Sequence, residues 1–81
     1  MNITRCKVDH KKLRATITEK IFETRIPISN AMIASEAGTC TETVRRVLVG
    51  YDCSVITFMR IAEALKKFDI DIDLHDYVTV Y

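Results

Sequence analysis

The chain is poor in residues that interrupt regular structure, with two glycines and one proline among 81 residues. Hydrophobic residues make up 48% of it and charged residues 28%, a composition that excludes disorder and favours a compact, helix-rich fold. At this length we expect one domain, residues 1–81, around a single small core. Such a core cannot enclose a substrate, so a binding module is expected rather than an enzyme.

Long apolar runs are also missing. No stretch approaches the roughly 18 apolar residues of a membrane-spanning helix, and the polar start MNITRCKVDHKK is not followed by the apolar centre of a signal peptide. We therefore expect a cytoplasmic protein with no membrane partner.

Cysteine is sparse. Cys6, Cys40 and Cys53 cannot all pair within one chain, and their spacing matches no zinc-ligand pattern, so reduced thiols are expected. Cys40 precedes a predicted helix, where it could act as a redox-sensitive thiol. A small buried or half-buried thiol is the simpler interpretation.

Motifs for metals and catalysis are missing too. The Asp-rich stretch 69–73 resembles the opening of a calcium loop, but Leu74 and Val80 stand where that loop needs Gly and Glu. The chain has no nucleophile elbow, P-loop or paired-carboxylate motif. We expect no catalytic residue, metal, cofactor or small-molecule substrate.

Charge is unevenly distributed, although the net charge is only +1. Residues 1–67 hold all twelve Lys and Arg against seven Asp and Glu, a balance of +5, and residues 68–81 carry four Asp, a balance of −4. A basic body could face phosphates while the acidic tail stays away from them. Both regions could also be ordinary solvated surface.

Apolar spacing predicts four helices over a body of about residues 9–68. The first begins at an Asp9 cap and ends near residue 24 or 25, because Pro27 disfavours helical geometry in the residue before it. Ser29 caps the second helix and Ser54 the fourth. The third is capped by Thr39, through a capping box with Glu42, or by Thr41, and it ends before Gly50.

The segment Asn30–Val49, NAMIASEAGTCTETVRRVLV, predicts a helix-turn-helix. Ala34 is small enough for two helices to cross closely, and Gly38 suits the left-handed turn between them. Val44 and Val47 then fill the angle between the helices.

A helix-turn-helix places its second helix in the major groove of DNA. Its exposed residues could read base edges: Thr41, Glu42, Arg45, Arg46 and Val49. Phosphate contacts are predicted for Ser29, Asn30, Thr43, Lys11 and Lys12. Arg46 is the strongest base-reading prediction. The alternative is a solvated face in which Glu42 and Arg46 form an ordinary ion pair.

Residues 69–81 change to a period of two, which predicts a strand. A lone strand needs a partner, either the extended segment Ile3–Val8 or a second subunit. Dimer contacts are predicted for Ile70, Ile72, Leu74, Tyr77, Val78 and Val80.

The stretch Ala34–Arg46, ASEAGTCTETVRR, resembles the A-x-x-x-G-V-S-x-x-T-V-S-R pattern of the phage repressor and Cro-like helix-turn-helix family. The continuation VLVG, SVIT and RIAEAL is also similar, and the resemblance covers about residues 9–68. It is shared with headpieces of lactose-repressor-type regulators, but the leading helix favours the phage-repressor arrangement. The resemblance implies a homodimer on a palindromic site, with reading positions at Asn30, Thr41, Glu42, Arg45 and Arg46.

Together these patterns predict a mainly α, lambda-repressor-like domain of four to five helices with a short β-prone N-terminal segment and a C-terminal strand. The expected function is a dimeric, sequence-specific regulator of transcription that binds double-stranded DNA, most simply a phage or bacterial repressor. A protein-interaction module of the antitoxin or antirepressor type is the first alternative. A small enzyme is the second.

Overall fold

The structure is a computed structural model that describes residues 4–81. Within that range the chain forms five helices and three short strands. In chain order they are β1 (Arg5–Val8), α1 (His10–Thr24), α2 (Asn30–Ala37), α3 (Thr41–Leu48), β2 (Cys53–Ser54), α4 (Val55–Lys66), α5 (Leu74–Tyr77) and β3 (Val78–Val80). The prediction of a mainly helical domain with β structure near both ends is confirmed.

Helices α1, α2 and α4 begin at their predicted caps. The side chains of Asp9, Ser29 and Ser54 each accept a hydrogen bond, of 3.1–3.2 Å, from a backbone N–H three residues later. These bonds satisfy donors that have no partner within a helix. Helix α1 ends at Thr24, as predicted, and Arg25 follows in the left-handed backbone region with φ 61°.

Each of the next three helices, α2, α3 and α4, also ends through a left-handed residue. These residues are Gly38 after α2 (φ 69°), Gly50 after α3 (φ 105°) and Asp69 after α4 (φ 66°). In each case the N–H of the next residue donates to a carbonyl five positions back, at 3.0 Å. This arrangement satisfies carbonyl groups that the helix leaves unpaired. Asp69 therefore ends helix α4, because a short polar side chain such as Asp can adopt the left-handed backbone conformation.

The core lies between the helices and one face of the sheet. Its largest fully buried side chains are Phe58, Leu13, Ile33, Ile61, Leu65, Val8, Val44, Val47 and Cys6. Burying a side chain such as Leu or Phe stabilises a fold by about 1.5–3 kcal/mol. Helix α2 packs on both α3 and α4, and Ala34 of α2 is buried as predicted. Its small side chain lets α2 approach its neighbours closely.

The sheet joins the two ends of the chain. Strand β1 lies in the middle and pairs antiparallel with β2 on one side and β3 on the other. The predicted pairing of the tail with the N-terminal segment is thus confirmed for β3. In β1, Cys6 and Val8 face the core while Arg5 and Lys7 are exposed, as a period of two requires. Ile3, where that segment was predicted to start, lies outside the described residues.

The prediction of a strand through residues 69–81 is wrong for most of that stretch. Residues 70–73 have no regular structure, and Leu74–Tyr77 form a helix. Ile70 and Ile72 are 2% and 8% exposed, buried in the core of their own chain. The predicted dimer contacts at Ile70 and Ile72 are corrected accordingly, since in this structure those side chains already pack within the monomer. Their alternation with Asp reflects extended chain lying on the core, without strand pairing.

Candidate nucleic-acid interface

Helix α3 has one buried and one exposed face. Val44, Val47 and Leu48 anchor it in the core. On the opposite face the side chains of Glu42, Arg45 and Arg46 are 52%, 49% and 62% exposed. The helix is therefore held firmly while its charged side chains project into solvent.

The three charged residues of α3 form one hydrogen-bonded group. Arg45 donates from Nε to Glu42 Oε2 at 2.9 Å and from Nη2 to Glu42 Oε1 at 2.5 Å. Arg46 donates from Nε to Glu42 Oε1 at 3.3 Å. Ion pairs this exposed add little to stability, but they hold both guanidinium groups in defined positions.

The electrostatics of this group favour the charged forms of Glu42 and Arg45. Hydrogen bonds and charge from Arg45, and then from Arg46, lower the pKa of Glu42 from 4.5 to about 2. The same hydrogen bond to Glu42 raises the pKa of Arg45. The exposed face of α3 thus carries one negative and two positive charges.

Tyr51, which was not among the predicted site residues, contacts the Arg46 side chain. The Arg46 guanidinium carbon lies 5.9 Å from the centroid of the Tyr51 ring, within the range of a cation–π contact. Tyr51 is itself exposed. The sequence placed it only in a connection after α3, and its contact depends on how Gly50 turns the chain.

The cap of α3 differs from both predictions. Cys40 occupies the cap position and Thr41 is the first helical residue, so the predicted Thr39 and Thr41 caps are wrong. The Cys40 Sγ faces the Thr43 hydroxyl at 3.0 Å. With Cys40 at the cap, Glu42 is the second helical residue and not the third, so it does not complete a capping box. Cys40 is exposed, against the expectation of a buried or half-buried thiol, and the hydrogen bond with Thr43 lowers its pKa.

The other two cysteines lie on neighbouring strands of the sheet. Cys6 and Cys53 are directly paired across β1 and β2, with their Sγ atoms 3.9 Å apart. Both are free thiols. Both side chains belong to the packed core, and burial raises the pKa of Cys53 to about 12.

All five predicted base-reading residues are exposed: Thr41, Glu42, Arg45, Arg46 and Val49. Thr41 marks the start of α3, and Val49 follows its last residue. The hydrogen bonds above bring the central three together. The exposed surface therefore extends along the whole helix.

The predicted phosphate-binding residues are distributed over three helices. Ser29 uses its hydroxyl oxygen to cap α2, and Asn30 is the half-buried first residue of that helix. Thr43 is half-buried on α3, beside Cys40. Lys11 is exposed at the start of α1.

Lys12 makes its contacts with the tail of its own chain. Its Nζ donates to the Asp76 carbonyl oxygen at 3.1 Å and lies 4.7 Å from the centroid of the Tyr77 ring. The Tyr77 hydroxyl in turn is 2.8 Å from the Thr16 hydroxyl. These contacts hold α5 against α1, which gives Lys12 a structural role.

The loop after α3 is tied to both ends of the chain. Arg5 Nη2 donates to the Asp52 carbonyl oxygen at 3.1 Å, and the Tyr81 hydroxyl donates to Asp52 Oδ2 at 2.7 Å. The hydrogen bond to Asp52 raises the pKa of Tyr81. Arg5 was not among the predicted site residues, because nothing near it in sequence indicates a site. Only the register of β1 with β2 brings it to α3.

Comparisons with known proteins give no match: no family model, no curated protein and no solved structure matches the chain. Function must therefore be inferred from the geometry around α3. None of the helices in residues 4–81 has both the length and the apolar character needed to cross a bilayer. Over the same residues, no group of three or more His, Cys, Asp or Glu side chains could hold a metal ion.

Proposed function

We propose that the chain is a sequence-specific, double-stranded DNA-binding regulator of transcription that inserts α3 into the major groove. It acts most simply as a dimeric repressor that blocks access to a promoter of a phage or bacterial genome. The observation that supports this proposal is the exposed group of Glu42, Arg45 and Arg46 on a helix whose other face is buried in the core.

The chemistry of this face suits the edges of base pairs. Arginine can donate two hydrogen bonds to guanine, and a glutamate can accept one from the amino group of cytosine. Val49 and Thr41 carry methyl groups that can contact the methyl group of thymine. A face with these groups can distinguish one base pair from another.

We propose that strand β3 forms the dimer. In the sheet of residues 4–81 it is an outer strand, so its free edge presents backbone N–H and C=O groups to a second copy. Among the predicted dimer residues, the following remain at least partly accessible: Leu74, Tyr77, Val78 and Val80. A two-fold dimer would place two α3 helices on half-sites about 34 Å apart.

Selection of bound fragments from random duplex DNA, at a fixed salt concentration, tests the proposal. We expect an enriched palindrome whose half-sites lie about 10 base pairs apart, or a multiple of that distance. The enriched site should bind at least about 10³-fold more tightly than random DNA. Recovery of random sequence from this selection would refute sequence-specific binding.

Exposed apolar side chains favour a second candidate, a protein-interaction module of the antitoxin or antirepressor type. Ile56 and Met59 are exposed on α4, and Phe22 on α1 is 76% exposed. An apolar protein interface would respond weakly to salt, whereas DNA binding weakens steeply as salt rises. A partner bound equally well at low and high salt, together with no enrichment from random DNA, would favour this second function.

A further inference from the structure

A polar pocket adjoins the exposed face of α3. It has a volume of about 220 Å³ and lies between α3, the start of α4 and the β1–β2 pair. Its polar side chains are Arg5, Thr43, Arg46, Asp52, Ser54 and Thr57. Pockets for organic ligands usually have about 300–1,000 Å³ and mostly apolar walls. A smaller pocket with guanidinium and hydroxyl groups fits a small anion instead.

The sheet register brings Arg5 to this pocket. Arg5 and Ser54 face each other across the antiparallel β1–β2 pair. One hydrogen bond, from Arg5 Nη2 to the Asp52 carbonyl oxygen, fixes the guanidinium beside the loop that follows α3. A guanidinium has five N–H donors, and among residues 4–81 one Arg5 side-chain hydrogen bond is formed, so within that range most of its donors remain for an anion.

The hydroxyl of Thr57 is oriented as a donor by its neighbour. Ser54 Oγ accepts a hydrogen bond from the Thr57 backbone N–H at 3.1 Å and donates its own hydrogen to Thr57 Oγ1 at 2.8 Å. Since Thr57 Oγ1 is the acceptor of that bond, its own hydrogen is left to donate elsewhere. Arginine and threonine are both donor types that bind phosphate oxygens in protein–DNA complexes.

The charges around the pocket favour a monoanion. The guanidinium groups of Arg5 and Arg46 outnumber the one carboxylate, Asp52, which is already bound by the Tyr81 hydroxyl. The resulting balance of +1 matches the single negative charge of a phosphodiester. Arg46 also lines the pocket. Its Nε is bound to Glu42, and its guanidinium adds positive charge there.

We infer that this pocket binds one phosphodiester group of the DNA backbone, with Arg5 and Thr57 as the binding residues and Thr43 at the rim. The inference rests on the proposed function: Arg46 belongs both to the exposed face of α3 and to the pocket lining, so a duplex bound by α3 would lie beside the pocket. Strand β1 then belongs to the DNA interface. A phosphate contact fixes the position of the duplex and carries no base preference.

The test measures the affinity of the full chain for the selected site and for a random duplex as a function of salt concentration. Arg5→Gln removes the charge and Arg5→Lys keeps it without the planar fork. Thr57→Val removes the hydroxyl at nearly constant volume. Lys67→Gln, on an exposed residue after α4, is the control that removes one positive charge elsewhere.

For Arg5→Gln we expect the salt slope, d log K against d log[salt], to become shallower by about 0.9, the value for one lost phosphate contact. The ratio of wild-type to variant affinity should then fall about threefold between roughly 50 and 200 mM salt. The loss should be equal on the selected and random duplexes. Arg5→Lys should keep the wild-type slope. Thr57→Val should weaken binding several-fold and leave the salt slope unchanged.

Two results would overturn the inference. One is a slope for Arg5→Gln that equals that of Lys67→Gln. The other is a loss for Arg5→Gln that is confined to the selected site, which would make Arg5 a base contact. Unchanged thermal unfolding of each variant, followed by circular dichroism, confirms that the affinities compare folded proteins. If Arg5→Gln does not fold, Thr57→Val still decides the matter, because wild-type affinity for both duplexes in this variant would overturn the inference.

Titration with inorganic phosphate, followed by amide NMR, separates this inference from the proposed function. Suppose that the wild type binds no duplex, but that phosphate shifts the Ser54 and Thr57 amide signals and that these shifts are lost in Arg5→Gln. The anion site would then be retained, and the DNA backbone would be rejected as its ligand. DNA binding by the wild type with unchanged slopes in the Arg5 and Thr57 variants would keep the proposed function and reject the pocket.

Discussion

The two faces of α3 differ in what their side chains contact. On the inner face, Val44, Val47 and Leu48 are buried among residues of the other elements. On the outer face, the ion pairs that Glu42 makes within residues 4–81 are with Arg45 and Arg46 of the same helix. Stability and binding are therefore assigned to different residues of one eight-residue helix, and substitutions on the two faces should have separable effects.

The largest expected effect comes from the inner face. Leu48→Ala should lower the free energy of unfolding by about 2–5 kcal/mol, because it removes buried methyl groups and leaves a cavity. Chemical denaturation measures this change. The affinity for the selected DNA, corrected for the folded fraction, should stay close to that of the wild type. A loss below about 1 kcal/mol would mean that this face does not anchor α3.

On the outer face, Arg46→Ala should weaken binding to the selected DNA by about 1–3 kcal/mol and relax the base preference at one position. Its free energy of unfolding should change by less than about 0.5 kcal/mol, as for other exposed substitutions. Equilibrium binding to the selected site and to single-base variants of it measures both effects. An equal loss on random DNA would instead identify Arg46 as a phosphate contact.

A smaller effect is expected from Glu42→Gln, which keeps the shape of the side chain and removes its charge. Arg45 and Arg46 are then released from the carboxylate, so binding to random duplex DNA should strengthen several-fold at low salt. The preference for any cytosine that Glu42 contacts should fall. Glu63→Gln is a matched control, since Glu63 pairs with Lys66 on another exposed helix face. Equal gains for both variants would show that only net charge matters.

The smallest effect is a change with pH in the ion pairs themselves. The folded-state pKa of Glu42 is lowered from 4.5 to about 2, so the stability that its ion pairs contribute is fully present above about pH 4.5 and is lost as pH falls through about 2. Carboxyl-carbon NMR should place the Glu42 midpoint near 2, and Arg45→Gln should move it towards 4.5. A wild-type midpoint near 4.5 would show that Glu42 is free in solution.

The helical body was predictable because its signals are local. The capping bonds of Ser29 and Ser54 reach only three residues along the chain, and Gly38 suits the left-handed turn by its own backbone freedom. The start of α3 was missed because three residues in succession, Thr39, Cys40 and Thr41, can each cap a helix or lie near its start. The helix caps at Cys40, which puts Glu42 one position too early for a capping box.

The tail was predicted less well because its signal is ambiguous. Alternating Ile and Asp over residues 69–73 show that successive side chains face opposite ways, which is true of any extended chain. Whether a second strand pairs with that chain depends on what lies beside it. Here Ile70 and Ile72 pack onto the core, and pairing begins only at Val78, where β1 is in reach.

The sequence by itself determined the four main helices, the left-handed turn at Gly38 and the choice of Glu42, Arg45 and Arg46 as exposed residues. Periodicity, caps and backbone preferences act over a few residues and are visible in the chain. Only the tertiary structure decided that Ile70 and Ile72 belong to the core. It also decided that Arg5, Tyr51 and Thr57 lie beside α3. Those contacts join residues distant in sequence or depend on how a turn directs the chain, and they form only when the sheet and helices pack together.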